Sequence, residues 1–179
     1  MLEGISQWDS FFTKEEYDKV DKELLNYQWV FGASPNTNSL KDSNVRQFWY
    51  KELIESEYIK ELFKYRVTDF LGVEVETLRL YANGQSHGMA GHLHEDVSSD
   101  EVGTYGTIVY FFQGNWKPEY GGHLIILSPE DPNRVMLSVF PRSNSAVLFN
   151  SKLSHMAFDP SVYCTNQRIS IAYKFKVKE

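Results

Sequence analysis

The stretch His92-Leu93-His94-Glu95-Asp96 sets two imidazoles and a carboxylate at alternating positions. In an extended chain such residues project to one side, because successive strand side chains face opposite sides of a sheet. A lone histidine is ordinarily a surface residue or a hydrogen-bonded polar one. A cluster is different, since several titratable groups are costly to desolvate together unless something compensates them. A metal ion is the simplest compensator, and His92, His94 and Asp96 are its local candidates.

Three patterns compete for these residues. H-L-H-E-D matches the opening of H-x-H-x-D-H, the hydrolytic zinc motif of the metallo-β-lactamase family. Val97 stands where its last histidine belongs, and 179 residues are few for that fold's paired halves. A cupin would place a glutamate shortly after the second histidine, where Ser98 and Ser99 stand instead. The third pattern needs only H-x-D and a distant histidine. His94-Glu95-Asp96 is the one H-x-D in the chain, and His155 lies downstream in "NSKLSHMAF". Two histidines and a carboxylate on a triangular face leave the opposite positions open, an arrangement suited to non-haem Fe(II) oxygen chemistry. Thirteen residues after His155 comes "QRISIAYKFKV", in which Arg168 and Ser170 are two apart and share a strand face. A buried arginine is costly unless it meets an anion. Its planar fork suits a carboxylate, and a serine hydroxyl beside it adds a donor.

Elements must hold these groups. Thr13-Lys14-Glu15-Glu16 has capping-box spacing and opens a helix with Tyr17, Val20, Leu24 and Leu25 on one face. A second helix is predicted in "SEYIKELFKYRVTDFL" from the period of Tyr58, Ile59, Leu62, Phe63, Val67, Phe70 and Leu71. Between them "YQWVFG" reads as a strand and "ASPNTNSLKDSN" as a polar loop. After Gly72 the runs "VEVETLRLYA", "GHLHED", "GTIVYFFQ", "GHLIILS", "RVMLSVF", "SAVLFNS", "SHMAFD" and "RISIAYKFKV" read as short strands separated by Gly, Pro, Asn and Asp. That texture predicts a sandwich-like barrel rather than βαβ units. The expected fold class is mainly β with N-terminal helices. One domain is expected over residues 1–179, with helical support to about residue 72 and the β core over about 73–177.

Composition narrows the function classes. A net charge of −6 with no basic stripe argues against nucleic-acid binding. No apolar run approaches the roughly 20 residues needed to cross a bilayer, and the N-terminus lacks the basic and apolar regions of a signal peptide. One cysteine, Cys164, precludes an internal disulfide and suits a reducing compartment. The expectation is a soluble, cytoplasmic protein with no membrane partner.

Taken in order, these residues resemble the 2-oxoglutarate- and Fe(II)-dependent oxygenases, in particular their prolyl-hydroxylase-like branch. The resemblance rests on "YANGQ" at 81–85, "HED" at 94–96, "TIVYFFQGNWKPEYGGHLIIL" at 107–127, "FPRSNSAVLFNS" at 140–151, His155 and "RISIAYKF" at 168–175. It implies a double-stranded β-helix, a jelly-roll or cupin-like barrel. It implies Fe(II) held by His94, Asp96 and His155, and 2-oxoglutarate bound by Arg168 and Ser170, with Tyr81 beside it. Phe111 lies where some relatives carry a tyrosine. Gly121 and Gly122 suit a close strand turn, Trp116 reads as packing, and His123 departs from the family pattern without a visible reason. The implied reaction couples decarboxylation of 2-oxoglutarate by O2 to hydroxylation of a C–H bond, with ascorbate as a reductant. A peptidyl proline is one candidate substrate; a small molecule is another. His92 is expected beside the metal rather than on it. The rival from another class is a non-catalytic or differently metallated cupin-like barrel that binds a ligand or partner.

Overall fold

The computed structural model describes residues 4–26, 28–33, 47–112 and 114–178. Most of the expected polar loop at 33–44 lies outside these residues. In chain order the elements are β1 (Ser6–Trp8), α1 (Lys14–Asn26), β2 (Val30–Ala33), β3 (Phe48–Glu52), α2 (Glu57–Leu71), β4 (Val75–Gln85), β5 (Tyr105–Phe111), β6 (Leu124–Leu127), β7 (Val135–Val139), β8 (Ser145–Asn150), β9 (His155–Ala157) and β10 (Arg168–Val177). A seven-stranded sheet runs β1-β8-β5-β10-β4-β3-β2, and a three-stranded sheet runs β7-β6-β9. All their pairings are antiparallel. Two facing antiparallel sheets with helices outside the larger one make the expected double-stranded β-helix.

Both helices begin as their sequences dictate. The Thr13 N–H donates to Glu16 Oε2 at 2.7 Å and the Glu16 N–H to Thr13 Oγ1 at 3.3 Å, a reciprocal capping box. Ser56 caps α2 by accepting from the Ile59 N–H, and Gly72 ends it at φ 68°, a left-handed conformation in which glycine has no Cβ penalty. Val20 and Leu24 of α1 and Ile59, Phe63 and Val67 of α2 enter the core. Leu25, expected on the buried face, is 78% exposed, and Phe70 is 49% exposed. The buried stripe is narrower than the apolar pattern.

The large sheet is covered on both faces. Ile171, Tyr173 and Phe175 of β10, Leu80 and Ala82 of β4, and Ile108 and Tyr110 of β5 join the helices in one cluster. A second cluster, with Phe111, Val147 and Phe149 from the large sheet and Leu124, Ile126 and Val139 from the small one, fills the space between sheets. Strand alternation therefore sends the other residues of β4, β5 and β10 toward a cleft between the sheets. That single geometric fact positions the site.

Two expectations change. Strands β1 and β3 form without having been expected, each as a neighbour paired to a core strand. The segment "GHLHED" is not a strand: it makes one isolated bridge, His94 to His155. No described helix is long and apolar enough to cross a membrane.

Candidate metal centre

The segment around His94 is moored to the chain at 151–157 at separate points. The Gly91 N–H donates to Ala157 O at 2.9 Å, His94 and His155 exchange backbone bonds of 3.1 and 2.9 Å, and the Asp96 N–H donates to Ser151 O at 2.9 Å. This mooring does what a regular strand was expected to do. It brings ligand atoms of His94, Asp96 and His155 within 4.8 Å of one another.

The histidine rings are aimed by main-chain carbonyls. Nδ1 of His94 lies 2.9 Å from His92 O, and Nδ1 of His155 lies 2.9 Å from Leu153 O. A carbonyl only accepts, so each ring carries its proton on Nδ1 and presents a lone pair at Nε2. Those nitrogens face Asp96, at 3.4 Å from Oδ1 for His94 and 3.7 Å from Oδ2 for His155. Two lone pairs converging on a carboxylate repel it unless a cation stands among them. The donor set, two neutral imidazoles and one carboxylate, fits Fe(II).

Asp96 is also held from behind. Lys174 donates to Oδ1 at 2.5 Å, and Thr107 Oγ1 donates to Oδ2 at 2.7 Å. Burial alone would raise the Asp96 pKa. The charge of the Lys174 ammonium opposes it and holds the carboxyl well below the usual carboxylate range. Burial pushes His155 down to about 4 against the opposing pull of Asp96, so its ring is neutral at pH 7. Burial would also lower Lys174, but Tyr81 and Asp96 raise it instead, and it is cationic.

Arg168 occupies the same cleft and is 2% exposed. Its Nη1 donates to Gly122 O at 2.7 Å and to Phe158 O at 3.4 Å, and its Nη2 donates to Gln85 Oε1. Gln85 is fixed in turn by its own bond to Met89 O at 2.7 Å. Gly122 sits at φ 72°, and a Cβ there would come within 3.2 Å of Arg168 Cδ. The glycine pair is thus a close-approach requirement, while Trp116 packs beside it and bonds Gly121 O at 2.9 Å. Burial pushes Arg168 down to about 10, leaving it cationic at neutral pH. Its Nε is buried without a hydrogen-bond partner among the described residues, as is Oδ1 of Asn83. A buried guanidinium with an unused donor suits an anion. The cleft is walled also by Tyr81, Phe111 and Ser170.

Every expected site residue therefore lines one cleft: His94, Asp96, His155, Arg168, Ser170 and Tyr81. His92 stands outside the ligand triangle with its ring 5.7 Å from that of His94, and serves through its carbonyl. His123 packs against Phe140 at 5.4 Å and takes no part. Gln85, Thr107 and Lys174 were not expected. The signal for Lys174 was present: the alternation that joins Arg168 to Ser170 reaches Lys174 two steps further on.

The family model of the 2OG-Fe(II) oxygenase superfamily matches residues 79–176, more than half of the chain. The chain belongs to that superfamily. No curated protein matches it in sequence. Among solved structures, a Trichoplax adhaerens prolyl hydroxylase, in complex with a hypoxia-inducible-factor oxygen degradation domain peptide, is 15% identical at TM-score 0.71, covering 97% of this chain and 83% of that one. A Pseudomonas putida prolyl-4-hydroxylase is 16% identical at TM-score 0.65, covering 98% and 94%. HygX from Streptomyces hygroscopicus, with nickel and 2-oxoglutarate bound, is 14% identical at TM-score 0.66, covering 97% and 82%. At these identities the likeness establishes the fold. The family match together with the His-Asp-His triad makes the protein a 2-oxoglutarate- and Fe(II)-dependent oxygenase.

Proposed function

We propose that His94, Asp96 and His155 hold Fe(II), that Arg168 and Ser170 bind the far carboxylate of 2-oxoglutarate, and that Tyr81 lies along it. The observation that carries this is the pairing of two Nδ1-protonated histidines around a carboxylate with a buried, incompletely bonded arginine in the same cleft. When bound, iron with 2-oxoglutarate and O2 supplies the oxidant for a C–H bond, with release of succinate and CO2. The chain does the rest. His92 O and Leu153 O fix the imidazole tautomers, and Thr107 and Lys174 fix the carboxylate. Gln85 and the Gly122 carbonyl fix the guanidinium, which sets the length of the acid it accepts. Phe111 and Val109 line the cleft with apolar surface that keeps out competing water.

We further propose hydroxylation of a peptidyl proline, in the manner of a prolyl-4-hydroxylase. Support comes from the two prolyl hydroxylases of like fold and from the aromatic wall of Phe48, Tyr50 and Tyr81, which suits a proline ring. The net charge of −6 supports a partner other than nucleic acid, and the free, buried Cys164 supports a reducing, cytoplasmic setting. The test is incubation with Fe(II), 2-oxoglutarate, ascorbate and air against proline-containing peptides and, in parallel, small metabolites. The expected result is a peptide mass gain of one oxygen atom with matching succinate. Gain confined to metabolites would overturn the peptide assignment, and no succinate under any condition would overturn the site assignment.

A further inference from the structure

The buried ion pair behind the metal triangle goes beyond what the triangle itself requires. Among the described residues, the cleft is lined by one carboxylate, Asp96, against the guanidinium groups of Arg79 and Arg168. Lys174 adds a third cation. Its side chain is 7% exposed and that of Asp96 is 1% exposed. The register explains how it arrives: Lys174 of β10 lies opposite Thr107 of β5 and Arg79 of β4, so neighbouring strands deliver both hydrogen bonds to Asp96. Its Nζ also lies 5.4 Å from the Tyr81 ring centre, whose neighbourhood is shared by Arg79 at 4.8 Å. Among the described residues Asp96 is the one acid bonded to Lys174, while Asp159 acts on Arg168 and Glu52 accepts from Tyr50 beside Arg79.

We propose that Lys174 is a positioning residue of the metal centre, clamping Asp96 while weakening divalent-metal binding and strengthening that of the dianionic cosubstrate. The proposal rests on the oxygenase site described above. The clamp follows from Oδ1 of Asp96 being held by Lys174 and Oδ2 by Thr107, which stops rotation of the carboxylate. The opposed affinities follow from charge. An ammonium against the metal's own ligand repels a dication and attracts 2-oxoglutarate, and in a buried site neither effect is screened as it would be in water. The metal-loaded cleft then carries excess positive charge that the dianion relieves, so cosubstrate favours retention of the metal.

The test uses the full chain and two titrations: Mn(II) alone, followed by electron paramagnetic resonance, and 2-oxoglutarate into the Fe(II)-loaded protein without oxygen, followed by its visible absorption band. Lys174→Met should bind Mn(II) at least about tenfold tighter and 2-oxoglutarate at least about tenfold more weakly, the conservative end of what a nearby unit charge does at an effective dielectric of 20. Lys174→Arg, which keeps the charge, should stay near wild type on both. Thr107→Val, which removes the other carboxylate bond without altering charge, should not show the opposed shifts. Both affinities falling together in Lys174→Met, or neither changing, would reduce Lys174 to a packing role and overturn the proposal. If Lys174→Met does not fold, Lys174→Gln carries the same expectation. A wild-type protein that binds neither Mn(II) nor 2-oxoglutarate overturns the oxygenase site instead, a result distinct from failure of the Lys174 role.

Discussion

Replacing Arg168 is the sharpest perturbation of the cosubstrate end of the cleft. The guanidinium is fully buried between Gly122 O, Phe158 O and Gln85 Oε1, with Nε left over. Truncating one partner of a buried charge pair costs roughly 2–5 kcal/mol, partly because the other charge is left unpaired. At about 1.4 kcal/mol per tenfold, Arg168→Ala should weaken 2-oxoglutarate binding by roughly 30- to 3,000-fold. The same change removes the donor from three acceptors, each worth about 1–3 kcal/mol when buried and unsatisfied, so the protein should also melt earlier. Arg168→Lys should recover only part of the affinity, because a point charge cannot reach the carboxylate and Gln85 together as a fork does. Metal affinity without cosubstrate should change little, since Arg168 is not a ligand. Anaerobic titration of 2-oxoglutarate into the Fe(II) protein reads the effect, with circular dichroism confirming the fold. Equal affinity in wild type and in a folded Arg168→Ala protein would refute the assignment.

The metal triangle makes a contrast testable by metal analysis after anaerobic Fe(II) loading. His94→Ala, Asp96→Ala and His155→Ala should each lose iron, whereas His92→Ala should keep it, because His92 contributes a backbone oxygen that alanine retains; equal loss in all four would refute the triangle. The neutral, buried His155 makes stability depend on pH in the metal-free protein. Its folded pKa of about 4 lies below its ordinary 6.5, so as pH falls the unfolded chain takes the proton first and stability drops between these values, by on the order of 3 kcal/mol. Asp96, whose pKa is depressed from an ordinary 3.8, contributes stability that is present above that value and lost only at more acidic pH. Denaturant midpoints of wild type and His155→Gln across pH 4 to 7 should differ in slope, and parallel slopes would sink the argument. Gly122→Ala should weaken 2-oxoglutarate binding and lower stability by about 1 kcal/mol or more, from positive φ and from the 3.2 Å contact with Arg168 Cδ; an unchanged melting temperature and affinity would show that the glycine is not needed.

What could be read beforehand depended on whether one strand's period decided a residue's surroundings. Strand β10 occupies the run of residues read for it, and its alternation correctly paired Arg168 with Ser170. The capping box of α1 and the change of texture after Gly72 were local and equally legible. His92 against His94 was harder, because the segment is not a strand, and separate backbone bonds to residues 151–157 choose which side chains enter the triangle. Strands β1 and β3 were missed because "SQW" and "FWYKE" are short, and their strand character comes from pairing with β8 and β4. Leu25 was placed on the wrong side because helical period marks an apolar face but not the width that tertiary packing covers. Lys174 shows the other kind of shortfall. The alternation through Arg168, Ser170 and Ala172 reaches it, yet a lysine near the end of a strand ordinarily reads as an edge charge. Its meaning came from β5 and the 91–96 segment, which set Thr107 and Asp96 against it. A cation at that step turns the site from a set of ligands into a balance of charges: the carboxylate that attracts the metal is already shared, and a dianion offsets much of the positive charge that remains.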